Sequence, residues 1–248
     1  MVYFVGAGPG AKDLITVRGM ELLKKADMVI YAGSLVNPEL LEYCPDSCRT
    51  VSSANLTLEE VIGLISACGA EKTVVRLHTG DPSIYGAIRE QMDELDRLGI
   101  AYEVVPGVSA LCAAAAALHA EYTLPGVSQS LIVSRMAGRT KVPERESIPS
   151  LASHGASMAL FLSVGMLESL CAELIAGGYD KMTPAAVVYK ASWPEQQIVR
   201  STLECLPEDA KDIKKTALVL VGGFLDGVKE RSKLYDPAFS HGFREAAK

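Results

Sequence analysis

The chain has 248 residues, 49% of them hydrophobic and 22% charged, with a net charge of -6. That length supports one large core or two smaller ones, and the acidic balance excludes a chain-wide nucleic-acid binder. No apolar run reaches the roughly 18 residues of a membrane span, and residues 1–4 enter a strand with no basic leader, so a cytoplasmic enzyme with no membrane partner is expected.

Residues 2–5 read as a strand, 16–25 as a helix with apolar Val17, Met20, Leu22 and Leu23, and 28–31 as a second strand. Thr57 and Glu60 form a capping-box pattern ahead of Val61, Ile62, Leu64 and Ile65, which starts a helix. A strand over 73–77, a helix over 84–98 ending at Gly99, a strand over 101–105 and a helix over 109–120 follow. This alternation predicts a parallel sheet covered on both faces. Leu124-Pro125-Gly126 interrupts the rhythm, which places a domain boundary nearby and gives two α/β domains, 1–120 and 121–248. The second half shows strands at 129–134, 157–163, 185–191, 196–201 and 216–221, and a helix over 166–176 stopped by Gly177-Gly178. Trp193-Pro194-Glu195 reads as a hairpin-like connection, so the second sheet is expected to be mixed. The tail after Gly227 is polar and suits loose docking or an oligomer contact.

The six cysteines (44, 48, 68, 112, 171 and 205) form no C-x-x-C pair and show no zinc-ligand spacing with a histidine. They read as reduced thiols, with Cys112 a small core residue, and no metal site is expected. Gly6-Ala7-Gly8-Pro9-Gly10-Ala11 fits a dinucleotide-binding glycine pattern. The second strand, however, ends Ile30-Tyr31-Ala32-Gly33 without the carboxylate that would hold a ribose, and Pro9 removes a backbone donor.

The more informative pair is Gly80-Asp81-Pro82-Ser83-Ile84-Tyr85-Gly86 with Val105-Pro106-Gly107-Val108-Ser109-Ala110. Each follows a strand and precedes a helical pattern, so both loops reach the carboxyl edge of one sheet, where open α/β sheets bind ligands. Asp81 either positions a ligand there or caps the next helix. The small residues around Ser109 either admit a flat ligand or allow close helix–sheet packing. His78, beside this loop, faces the crevice or is packed. Residues 134–145 carry Arg135, Arg139, Lys141 and Arg145 on an otherwise acidic chain. That reads as a site for a carboxylate-bearing anion or as a solvated loop. No histidine–carboxylate dyad or nucleophile triad can be assembled.

Residues 5–18 (VGAGPGAKDLITVR), 80–86 (GDPSIYG), 105–110 (VPGVSA), 161–163 (FLS) and 218–222 (LVLVG) together resemble the tetrapyrrole methylase family. Residues 31–36 (YAGSLV) and the run 134–163 resemble its branch acting on carbon 11 of precorrin-4, with or without cobalt, in corrin synthesis. The resemblance implies two α/β domains with the cofactor in the cleft between them, S-adenosylmethionine as methyl donor, S-adenosylhomocysteine as product, and a homodimer. It implies cofactor contacts at Pro9, Thr79, Gly80, Asp81, Ile84, Ser109, Ala110, Ser163 (or Leu162), Ala191 and Ala217. It implies that Arg135, Arg139, Lys141 and Arg145 meet the acidic side chains of the tetrapyrrole, and it leaves Asp81 as the one candidate for a base. Open alternatives are a methylase of another tetrapyrrole position or of a protein side chain, a nucleotide-dependent oxidoreductase, and a non-catalytic binding module.

Overall fold

The computed structural model describes residues 1–227, 230 and 232–246. The polar tail expected after Gly227 falls partly on 228, 229, 231, 247 and 248, which lie outside the described residues. The chain divides into two compact units, Met1–Ala113 with Lys190–Glu195, and Ala114–Tyr189 with Gln196–Lys248.

The first unit is built on five parallel strands: β1 (Val2–Gly6), β2 (Met28–Tyr31), β3 (Arg49–Ser52), β4 (Val74–His78) and β5 (Tyr102–Val105), in the order β3-β2-β4-β1-β5. All five residues of β4 are buried, as befits an interior strand of a parallel sheet covered on both faces. Val75 and Leu77 join one core with Val5, Leu23 and Val29; Val74 joins another with Phe4, Ile30 and Leu95. Each such side chain, fully buried, contributes about 1.5–3 kcal/mol. Helix α1 (Val17–Leu23) starts at Thr16, whose side chain accepts the Gly19 amide. Helix α2 (Leu58–Cys68) carries the expected capping box of Thr57 and Glu60.

The first unit departs from the sequence expectations at two points and adds one strand. β3 was not anticipated, because Arg49–Ser52 is polar, mostly exposed and paired only with β2 at the sheet edge. Helix α3 spans Arg89–Arg97 rather than starting at 84, because Tyr85 and Ala87 hold left-handed backbone angles (φ 54° and 49°) that a helix cannot contain. In helix α4 (Ala110–Leu118) the buried face carries Ala113, Ala114 and Leu118, and Cys112 is exposed instead of in the core.

The second unit has the mixed sheet that was expected. Its strands are β6 (Leu131–Arg135), β7 (Ser157–Phe161), β8 (Pro184–Tyr189), β9 (Gln197–Thr202) and β10 (Ala217–Val221), ordered β6-β7-β10-β8-β9. Only β6 and β7 pair in parallel; β10 runs antiparallel to β7 and β8, and β8 to β9. β7 and β8 end earlier than read from sequence, since Leu162 and Lys190 turn left-handed at φ 54° and 46°. Helices α5 (Ile148–Ala152), α6 (Leu167–Ala176) and α7 (Leu206–Asp209) cover a core of Met158, Leu160, Leu170, Val187 and Val219.

Candidate functional site

Strands β4, β1 and β5 end at one edge of the first sheet, and their loops are joined backbone to backbone. Gly80, at φ 61°, donates its amide to the Gly8 carbonyl at 2.8 Å, and the Ala7 amide donates to the His78 carbonyl at 2.7 Å. A Cβ on Gly107 would lie 2.2 Å from the Gly80 oxygen and 2.7 Å from Gly6 Cα. Only glycine permits the three loops to touch this closely.

Asp81 holds this junction. One carboxylate oxygen accepts the Ser83 amide at 2.8 Å and also the Ser83 hydroxyl; the other accepts the Gly107 amide at 2.8 Å. Burial pushes the carboxyl upward, but the hydrogen bonds from Ser83 and Gly107 outweigh it and hold the group below its ordinary value. The helix-capping alternative for Asp81 is ruled out, because α3 begins only at Arg89. A carboxylate braced by three donors and depressed in this way is a weak base.

A Cβ on Gly80 would stand 3.6 Å from Ser109 Cα and the Ala110 amide nitrogen. A side chain there would rest on this backbone in ordinary contact, so glycine is required by the left-handed angle and not by lack of space. Thr79 is exposed beside it, Ile84 half-buried, and Ser109 buried with its hydroxyl oxygen accepting the Leu111 amide at 3.5 Å. Pro9 is buried in the adjoining glycine loop, and its carbonyl accepts the Trp193 indole N–H at 3.0 Å. Ala191, 7% exposed, precedes Ser192 in the same Lys190–Glu195 segment. The first unit thus gathers Pro9, Thr79, Gly80, Asp81, Ser109 and Ala110 along one sheet edge.

In the second unit, Leu162 is 68% exposed while Ser163 is fully buried. The Ser163 hydroxyl donates to the Phe161 carbonyl at 2.7 Å and accepts the Met136 amide at 2.8 Å, so its side chain is committed to the fold. Ala217 opens β10 opposite Tyr189. The basic segment separates into two kinds of residue. Arg135 turns its guanidinium onto its own loop, donating to the carbonyls of Met136 (3.3 Å), Thr140 (3.2 Å) and Lys141 (2.8 Å). Arg139, Lys141 and Arg145 are exposed.

His78 is packed rather than open to the crevice. It is 4% exposed, its ring centroid lies 6.0 Å from that of Phe4, and its Nε2 has no partner among the described residues. Burial, aided by the Arg76 charge, pushes it down to about 3, so it is neutral near pH 7. Arg76, itself buried, donates to Gln91 at 3.1 Å and to the Ile30 carbonyl at 3.2 Å. The thiol of Cys44 is pushed up to about 12 by burial and by Cys48, which leaves it protonated and inert.

A family model described as Tetrapyrrole (Corrin/Porphyrin) Methylases matches residues 1–207. The chain belongs to the tetrapyrrole methylases. It is 52% identical to the cobalt-precorrin-4 C(11)-methyltransferase of Methanocaldococcus jannaschii, over 100% of this chain and 97% of that one. It is 46% identical to the precorrin-4 C(11)-methyltransferase of Pseudomonas aeruginosa, over 98% of each chain. Among solved structures, the cobalt precorrin-4 methyltransferase CbiF is 45% identical, with a TM-score of 0.88 over 91% of this chain and 95% of that one. A uroporphyrin-III C-methyltransferase from Thermus thermophilus, solved in complex with S-adenosylhomocysteine, is 29% identical, with a TM-score of 0.77 over 91% and 98% of the two chains.

For a tetrapyrrole methylase, the feature that sequence reasoning missed is Trp193. It lies in the connection between antiparallel β8 and β9, as expected, and its indole meets a loop 184 residues away. Its being the only tryptophan of the chain is the one signal that singles it out.

Proposed function

We propose that this chain transfers a methyl group from S-adenosylmethionine to carbon 11 of precorrin-4 or its cobalt form. The observation that carries the proposal is the 52% identity, across the whole chain, with a relative named for that reaction. The geometry of the first unit supports the cofactor half. The main chain at Gly80, Ser109 and Ala110, with Thr79 and Ile84 in the adjoining loop, would receive the adenosine, with Pro9 and Ala191 in the flanking segments. Bound S-adenosylmethionine supplies an electrophilic methyl on its sulfonium.

The residues of the chain then have to hold, orient and shield. Asp81 is a brace in this reading: it keeps the Gly80 and Gly107 loops in register, and no proton transfer is assigned to it. Leu162 offers an apolar contact where Ser163 cannot. Arg139, Lys141 and Arg145 would pair with the carboxylates of the macrocycle, and Arg135 would keep their loop in shape. Correct placement of two reactants can supply about 7–11 kcal/mol of barrier lowering, so no nucleophile triad is needed. The family likeness extends the proposal to a homodimer acting in the cytoplasm.

The test is turnover. Incubation of the protein with S-adenosylmethionine and, in separate arms, precorrin-4 and cobalt-precorrin-4 should release S-adenosylhomocysteine in at least one arm. Release in neither would reject the proposal.

A further inference from the structure

The segment Lys190–Glu195 leaves β8 and rejoins β9 as part of the first unit, in a backbone shape that costs free energy. Lys190 and Ser192 sit at φ 46° and 69°. Left-handed angles at non-glycine residues cost on the order of 1–3 kcal/mol each and persist only where the surroundings enforce them.

Here the surroundings are the N-terminal glycine loop. The Trp193 indole N–H donates to the Pro9 carbonyl at 3.0 Å, and the Ser192 hydroxyl oxygen accepts the Ala11 amide at 3.0 Å. Between these two bonds the indole lies flush on Gly10, where a Cβ would stand 2.0 Å from Trp193 Cδ1. The Lys190 ammonium sits 5.1 Å over the indole and pairs with Glu195 at 3.5 Å. Asn37 donates to the Gly10 carbonyl at 3.0 Å. Three successive loop residues are therefore fixed by side chains remote in sequence. Trp193 also lines a cavity of about 390 Å³ with Ala11, Lys12 and Asn37.

We infer that Trp193 and Ser192 are positioning residues that hold the glycine loop ready for the cofactor, so that they set cofactor affinity and not the rate of methyl transfer. This rests on the proposed function, in which Pro9 borders S-adenosylmethionine. A loop ordered in advance loses no freedom on binding, and that saving appears as affinity. One neutral hydrogen bond corresponds to about a two- to tenfold change in Kd.

The probe is S-adenosylhomocysteine, titrated calorimetrically into the full chain and into two variants. Trp193→Phe keeps an aromatic ring and deletes the donor; Ser192→Ala deletes the acceptor and serves alone if the Phe variant does not fold. Each should raise Kd about two- to tenfold. KM for S-adenosylmethionine should rise in step while kcat stays near that of the parent. Parental affinity in the variants, or a fall in kcat at unchanged Kd, would overturn the inference. Failure of the parent itself to bind S-adenosylhomocysteine would instead overturn the proposed function, and this inference with it.

Discussion

Asp81 follows β4 and Gly107 follows β5, two strands separated in the sheet by β1, and the Asp81 carboxylate accepts the Gly107 amide across that gap at 2.8 Å. One side chain therefore sets the spacing of both loops that bound the proposed cofactor surface.

Asp81→Ala removes the acceptor for Gly107 and Ser83 together. A stability loss of about 1–3 kcal/mol is expected, measured by urea denaturation, since hydrogen bonds to a charged group are among the stronger ones. The Kd for S-adenosylhomocysteine should rise at least tenfold at a temperature where the variant is still folded. If Asp81 were a proton acceptor alone, kcat would fall at unchanged Kd.

The Gly107 position tests the close approach itself. Gly107→Ala places a methyl 2.2 Å from the Gly80 oxygen, a contact that only backbone movement can relieve. Cofactor binding should be lost, and thermal unfolding should occur at a clearly lower temperature than in the parent. A variant that binds normally would show that the loops have slack at this junction.

His78 gives the fold a predictable acid limb. Its folded value is depressed to about 3 from an ordinary 6.5, chiefly by burial. Below pH 6.5 the unfolded chain takes up a proton there that the folded chain refuses, so stability is present above that value and lost as pH falls toward 3. Between pH 7 and pH 5 this group removes about 2 kcal/mol. His78→Phe, which cannot titrate, should flatten that part of the pH–stability curve; an unchanged curve would place the acid sensitivity elsewhere.

The basic loop should separate into affinity and architecture. Changing Arg139 and Lys141 together to Ala is expected to weaken tetrapyrrole binding about tenfold or more while leaving the Kd for S-adenosylhomocysteine within twofold, since both cations are exposed and free to meet carboxylates. Arg135→Ala releases three carbonyls of its own loop and should lower stability as well as tetrapyrrole affinity. Equal loss of both ligands in the Arg139 and Lys141 variant would remove that loop from the substrate site.

The parts of this architecture readable from sequence are those written in local chemistry. Buried β4 and its Gly80-Asp81-Pro82 exit, the Thr57–Glu60 cap and the Gly177 stop each depend on residues within a few positions of one another. What escaped depends on distant partners or on unusual backbone angles. Tyr85 and Ala87 carry no visible sign of their left-handed conformation, so the helix expected over 84–98 is longer than α3. The charge of Arg135 was legible, but its hydrogen bonds to Thr140 and Lys141 were not. Ser163 is expected from the resemblance to touch the cofactor, yet its buried hydroxyl is spent on Met136 and Phe161. The meeting of Trp193 with Pro9 joins segments 184 residues apart and has no local signature.

The central claim is the site of alkylation, and one spectrum addresses it. The protein is supplied with S-adenosylmethionine carrying a 13C-labelled methyl and with precorrin-4, as the metal-free or cobalt form, and the product is examined by carbon NMR. The account predicts a single new labelled methyl bonded to carbon 11. A labelled methyl on any other carbon, or a product without label, would contradict it.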